Sequence, residues 1–76
     1  MKYSARQRAV AAALRKAREA AGMSQRQLSE RLQQPPNWMQ RIESLERRVD
    51  VAEFIAIAKA TGADPAALFR EALDSR

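Results

Sequence analysis

An all-α fold, a compact bundle of five helices joined by short connections, is what this sequence predicts. Three observations carry it. Apolar residues recur at helical spacings of three and four in every segment long enough to test. Helix-start and helix-stop signals follow one another at short intervals: Ser24 with Gln27, Asp50 with Glu53 and Asp64-Pro65 open helices, and Gly22 and Gly62 close them. No run has the alternating pattern of a strand. The 76 residues make one domain, 1–76, with residues 1–4 a frayed leader.

The first helix is expected from about Ala5 to Ala21. Alanine dominates it, supported by Leu, Arg, Lys and Glu, all strong helix formers. Val10, Leu14, Ala17 and Ala21 form its apolar stripe, and Gly22 ends it. Ser24 caps a second helix that runs to Leu32 or Gln33 and turns Leu28 and Leu32 inward. Gln34 precedes a proline and is pushed out of helical conformation, and Pro36 suits the first position of a third helix reaching Ser44. That helix, 36–44, turns Met39 and Ile42 inward. Leu45 to Val49 is a loop carrying Arg47 and Arg48. The fourth helix, Val51 to Thr61, buries Phe54, Ile55 and Ala58; the fifth, from Asp64-Pro65, buries Leu68 and Phe69. The expected core is Val10, Leu14, Ala17, Met23, Leu28, Leu32, Met39, Ile42, Phe54, Ile55, Ala58, Leu68 and Phe69. Val51, Ile57 and Leu73 are candidates for contact with another subunit.

Composition excludes several classes. There is no cysteine and no histidine, so a disulfide framework, a thiolate or imidazole metal site and the commonest general base are all missing. No Gly-rich phosphate loop or carboxylate cluster stands in their place, so an enzyme is not expected, nor is a cofactor. No apolar run is long enough for a membrane span or signal peptide, which points to the cytoplasm. The net charge is +5 and the pI about 10.8, as suits a polyanionic partner. Residues 1–48 hold eleven Lys/Arg against four Asp/Glu, and residues 49–76 three against five, so the basic charge sits in the half that contains helices two and three.

Those two helices, short and separated by a tight break, have the shape of a DNA-reading helix-turn-helix. The outer face of the third carries Asn37, Gln40, Arg41 and Ser44, which donate and accept hydrogen bonds. Arg41 suits a bidentate contact to guanine, with a solvated or salt-bridged arginine as the alternative. Asn37 suits adenine or a phosphate, or else caps the helix. Gln40 reaches a base or faces solvent. Trp38 lies four residues before Ile42, so its ring covers the core edge, and its indole N–H is a candidate for a phosphate. Arg47 and Arg48 follow the helix and are expected near the DNA backbone. Arg26, Arg6 and Arg8 are weaker candidates.

A wider set of residues resembles the Cro/C1-type, xenobiotic-response-element-like helix-turn-helix family: Leu14-Arg15-Lys16-Ala17-Arg18, Gly22-Met23-Ser24-Gln25, Leu28, Leu32, Met39, Arg41-Ile42-Glu43, Ile57-Ala58 to Gly62, and Asp64-Pro65 to Leu68. The resemblance spans about residues 12 to 73 and implies a lambda-repressor-like domain with its helix-turn-helix at helices two and three. It implies that Gln25 meets a phosphate, that Pro36, Asn37 and Arg41 occupy base-reading positions, and that Arg18 pairs with Glu43 structurally. Pro36 could offer a base only an apolar contact, such as a thymine methyl.

The chain departs from the family pattern at four places. Gln33 stands where the turn usually has glycine. Pro35 stands where the third helix usually has a Ser/Thr cap, and it cannot cap through a side chain. Trp38 replaces a small residue, and Leu45 replaces the glycine that usually ends the third helix. A leucine at positive φ would cost roughly 1 kcal/mol relative to glycine, so the loop is expected to take another path. The resulting expectation is a sequence-specific transcriptional regulator, a repressor, acting on double-stranded DNA as a homodimer at a palindromic operator. The alternative is an antitoxin-like or adaptor module that holds a protein partner such as a toxin on its acidic C-terminal half, around Glu53, Glu71 and Leu73.

Overall fold

The computed structural model describes residues 4–75. Five helices lie among them and no strand: α1 (Ala5–Ala20), α2 (Gln25–Arg31), α3 (Trp38–Glu43), α4 (Val51–Ala60) and α5 (Pro65–Asp74). The leader expected at 1–4 lies outside the described residues except for Ser4, which is not frayed. Its hydroxyl accepts from the Gln7 N–H and the Gln7 side chain accepts from the Ser4 N–H, a capping box that starts α1. Ser24 with Gln27 and Asp50 with Glu53 form the same box before α2 and α4, and Asp64 caps α5 ahead of Pro65, all as the sequence signals.

The helix stops share one device. After each of the first four helices a residue at positive φ turns the chain: Gly22 (70°), Gln33 (58°), Leu45 (67°) and Gly62 (78°). Its N–H bonds back three residues, and the next N–H bonds back five. The pairs are Gly22 to Glu19 and Met23 to Arg18, Gln33 to Glu30 and Gln34 to Ser29, Leu45 to Ile42 and Glu46 to Arg41, and Gly62 to Lys59 and Ala63 to Ala58. These are four Schellman motifs, two closed by glycine and two without it. The expectation that the chain after Ser44 would avoid positive φ is therefore wrong. Leu45 adopts it because the two back-bonds satisfy the terminal carbonyls of α3 and return the chain toward α4.

The third helix is shorter than 36–44. Pro36 and Asn37 form a turn in which the Trp38 N–H bonds to the Pro35 carbonyl, and regular helix begins at Trp38. Asn37 is in the N-cap position with φ −96° and ψ 10°, away from the extended geometry that a capping side chain needs, and it makes no side-chain cap bond. Ser29 on α2 supplies the missing cap. Fully buried, its hydroxyl donates to the Gln25 carbonyl at 2.8 Å and accepts from the Met39 N–H at 3.0 Å, so α2 satisfies the first turn of α3.

The core gathers Leu14, Leu28, Trp38, Met39, Ile42, Phe54, Ile57, Ala58, Leu68 and Ala72, with Val10, Ala17, Met23 and Leu32 packed against it. Two expected core residues lie outside. Ile55 is 39% exposed while Ile57 is fully buried, and Phe69 is 55% exposed while Ala72 is buried. On α4 the inward stripe is Phe54, Ile57 and Ala58, spaced three and four apart, and Ile55 falls about 100° away. On α5 the small Ala72 packs inward where α5 lies against α1, whose inward face is itself small at Ala9 and Ala13. Phe69 instead meets Phe54 edge-on, ring centroids 6.1 Å apart. Ile57 is thus removed from the candidates for subunit contact; Val51, at 74% exposure, and Leu73 remain.

Candidate nucleic-acid interface

The helix pair is held from behind by a buried ion pair. Arg18 at the end of α1 donates through Nε and Nη2 to the two carboxylate oxygens of Glu43, at 2.7 and 3.0 Å, and through Nη1 to the Met23 carbonyl at 2.8 Å. The two side chains retain 12% and 5% of their exposure. The pair holds the guanidinium further above its usual pKa, chiefly through the hydrogen bond to Glu43. Gln25, at the start of α2, donates its amide N–H to the same carboxylate at 2.9 Å. One carboxylate therefore fixes the end of α1, the start of α2 and the end of α3, and Arg18 has the structural role that the family resemblance implies.

With Met39 and Ile42 buried, helical geometry turns the other side of α3 outward. Asn37, Gln40, Arg41 and Ser44 fall within about 100° of arc and are all exposed, with exposed Pro36 just ahead of them. Neither the Asn37 nor the Arg41 side chain makes a hydrogen bond or ion pair among the described residues. Gln25, Gln40 and Ser44 line one open groove, floored by Glu43, between the start of α2 and the end of α3. The structure thus assembles Gln25, Pro36, Asn37, Gln40, Arg41 and Ser44 on adjoining surface.

Two residues that the sequence assigned to phosphates are used internally. The Trp38 ring is 5% exposed, and its indole N–H is enclosed with no partner among the described residues, so it offers no donor to a phosphate. The Arg47 guanidinium lies 5.5 Å from the centre of that ring and forms a two-bond pair with Glu53, at 2.9 and 2.8 Å. Its pKa is raised, and that of Glu53 lowered, each chiefly by this hydrogen bonding. Arg47 therefore staples the α3–α4 loop across Trp38 instead of presenting a bare charge. Arg48 is exposed beside it. Of the weaker candidates, Arg26 pairs with Glu30 and Arg6 donates to the Leu73 carbonyl at the far end of α5.

Sequence reasoning missed Ser29 and Glu46. Glu46 accepts from the Ser44 hydroxyl at 2.8 Å and the Gln40 amide at 3.2 Å. No periodicity could have signalled it, because the positive φ of Leu45 is what carries Glu46 back beside the helix. Among the described residues no cluster of ligating side chains suited to a metal ion is present, and no helix is long and apolar enough to cross a membrane.

These features define a helix-turn-helix domain. Residues 9–71 match the model of a family described in those words. The chain is similar in structure to an XRE-family-like protein from Pseudomonas syringae pv. tomato str. DC3000, at 39% identity and a TM-score of 0.84, over 91% of this chain and 84% of that one. It is also similar to the clp gene regulator ClgR from C. glutamicum, at 28% identity and a TM-score of 0.80, over 92% and 90%. No curated protein matches the chain. The chain belongs to the Cro/C1-type, XRE-like helix-turn-helix family, and these findings together support a DNA-binding transcriptional regulator.

Proposed function

We propose that the protein is a sequence-specific repressor that seats the exposed face of α3 in the major groove of a palindromic operator. The observation that carries this is the pairing of Asn37 and Arg41, one turn apart, exposed and unbonded by side chain, on a helix whose opposite side is buried and braced by Ser29 and Glu43. Unbonded amide and guanidinium groups on a rigid element suit direct base readout. Arg41 reads guanine, Asn37 reads adenine or anchors a phosphate, and Pro36 offers an apolar surface to a thymine methyl. Gln25, oriented by Glu43, keeps its second N–H for a phosphate, and Arg48 adds charge beyond the helix. Arg47 acts by holding the loop. A cytoplasmic, nucleoid-associated location follows from this role.

A homodimer places two such helices on half-sites about 34 Å apart. Val51 and Ile55 share one side of α4, and Phe69 and Leu73 one side of α5, all exposed, and we assign the dimer contact to these sides. A protein partner such as a toxin would compete for the same surface.

Binding to randomised duplex, followed by selection of enriched sites, tests the reading. The Arg41→Ala variant should lose its preference for one guanine and bind the selected site roughly 5- to 100-fold more weakly. Unchanged site preference would refute the assignment. In sedimentation, Val51→Glu and Leu73→Glu should each shift the protein toward monomer and weaken binding to the palindrome more than to a half-site. A monomeric wild type with no duplex affinity at low salt would favour the protein-partner reading instead.

A further inference from the structure

Two arginines of α1 line the groove between the start of α2 and the end of α3, and they are used differently. Arg18 spends Nε and both terminal nitrogens inward, on Glu43 and on the Met23 carbonyl. Arg15, three residues earlier, lines the same groove as Gln25, Gln40 and Ser44, and its side chain is 63% exposed. Its Nε donates to Glu19 Oε2 at 3.2 Å, and no other hydrogen bond or ion pair of its side chain is formed among the described residues.

A guanidinium is planar and carries its five N–H bonds in a fixed fork. With Nε turned to Glu19, Nη1 and Nη2 of Arg15 are left as an unoccupied pair of donors, a shape that matches two oxygens of one phosphate. Glu19 itself does not line the groove. The Glu43 carboxylate on the floor is already matched by Arg18 and by the Gln25 amide, so it adds little repulsion at the mouth. Lys16, the next residue, carries the same charge in a different direction: its ammonium lies 3.9 Å from Glu71 on α5.

We infer that Arg15 is a positioning residue of the interface, whose free fork grips a phosphate of the strand that passes Gln25, so that α1 joins α2 and α3 in holding the duplex. This rests on the proposed major-groove reading and goes beyond it by adding a third element and a residue that the motif itself does not contain. With the exposed face of α3 in the major groove and Gln25 on a phosphate, that strand runs across the mouth of the groove, and Arg15 is the groove's unspent cation. A phosphate carries no base identity. The contact therefore fixes the register and tilt of α3 and adds affinity for duplex of any sequence.

The experiment uses the full chain, the site selected from a randomised pool and a random-sequence duplex. Arg15→Ala should weaken binding to both by a similar factor, roughly 3- to 10-fold, and flatten the slope of log affinity against log salt by about 0.9 per bound chain. The bases selected from the pool should not change, and the variant should melt within a few degrees of wild type. Arg15→Lys should restore the slope but only part of the affinity, because an ammonium makes no fork. Lys16→Ala, which removes an equal charge from the side of α1 that meets α5, should change binding far less. In ethylation interference, one phosphate per half-site should cease to interfere when Arg15 is alanine. An altered base preference, a loss matched by Lys16→Ala, or an interference pattern identical to that of wild type would each overturn the inference. Absence of any wild-type duplex binding would overturn the underlying reading first, before any variant is made.

Discussion

Replacing Ser29 with alanine tests how α3 is seated. The substitution removes one oxygen, but among the described residues that oxygen is the only partner of the Met39 N–H, in the first turn of a helix whose own N-cap side chain makes no cap bond. Met39 and Ser29 are both fully buried, so water does not replace the lost acceptor without rearrangement. A buried donor left unpaired costs about 1–3 kcal/mol. The bond to the Gln25 carbonyl is lost as well, at little cost, since that carbonyl also lies within reach of the ordinary α2 ladder. Alanine returns about 0.5 kcal/mol through its better helix propensity. The net loss is about 1–2 kcal/mol, against a total of roughly 4–11 kcal/mol for a domain of this length. That corresponds to a fall in melting temperature of about 5–15 °C. The single tryptophan, Trp38, is buried immediately before Met39, so its fluorescence during urea unfolding is a direct assay. The midpoint should fall with an unchanged slope. A Ser29→Ala protein within 0.3 kcal/mol of wild type by this estimate would show that Met39 does not depend on Ser29, and the account of the missing cap would fail.

Three further outcomes are expected. Glu43→Ala should cost about 3 kcal/mol by thermal unfolding, because it strands the largely buried Arg18 guanidinium, whereas Glu19→Ala, at an exposed 4.0 Å pair with the same arginine, should stay within about 0.5 kcal/mol. Gln33→Gly should stabilise by about 0.5 kcal/mol in urea titration, since glycine relieves the strain at φ 58° but adds entropy to the unfolded chain; destabilisation would show that the Gln33 side chain has a use of its own. Glu53→Gln keeps the capping oxygen but removes the charge that pairs with Arg47. The folded-state pKa of Glu53 is depressed, so its contribution is present above the unfolded value of about 4.3 and lost as pH falls through the folded one. The stability gap between wild type and Glu53→Gln should therefore be widest near neutrality and close below about pH 4. A gap that stayed constant down to pH 3 would rule out the pair as its source.

The exposed face of α3, the candidate interface, was legible from α2 and α3 alone because both helices are short and each has one unambiguous apolar stripe. Leu28 on one and Met39 with Ile42 on the other leave a single possible outer face, and that face is where Asn37, Gln40, Arg41 and Ser44 lie. Trp38 and Arg47 have internal partners for a shared reason. Each residue type suits a phosphate, and each has a stronger partner brought by the fold: the ring lies in the core beneath the guanidinium, and Glu53 holds the guanidinium over the ring. The core expectation failed at Ile55 and Phe69, where two apolar residues compete for one inward position. A hydrophobic pattern with redundant apolar residues leaves the rotation of the helix open.

The sequence by itself determined where most helices start and which regions carry charge, because capping side chains and helix propensity act within one turn of chain. It also determined two of the four helix stops, through glycine. The other two stops, at Gln33 and Leu45, were decided by the tertiary structure, where packing on both sides of each turn outweighs a strain of about 1 kcal/mol. The same is true of the Ser29 cap, which exists only once α2 and α3 are docked, and of the rotation of α4 and α5, which is set by the helices packed against them. For this chain, then, local chemistry placed the outer face of α3, and long-range contacts decided how the helix behind it is held.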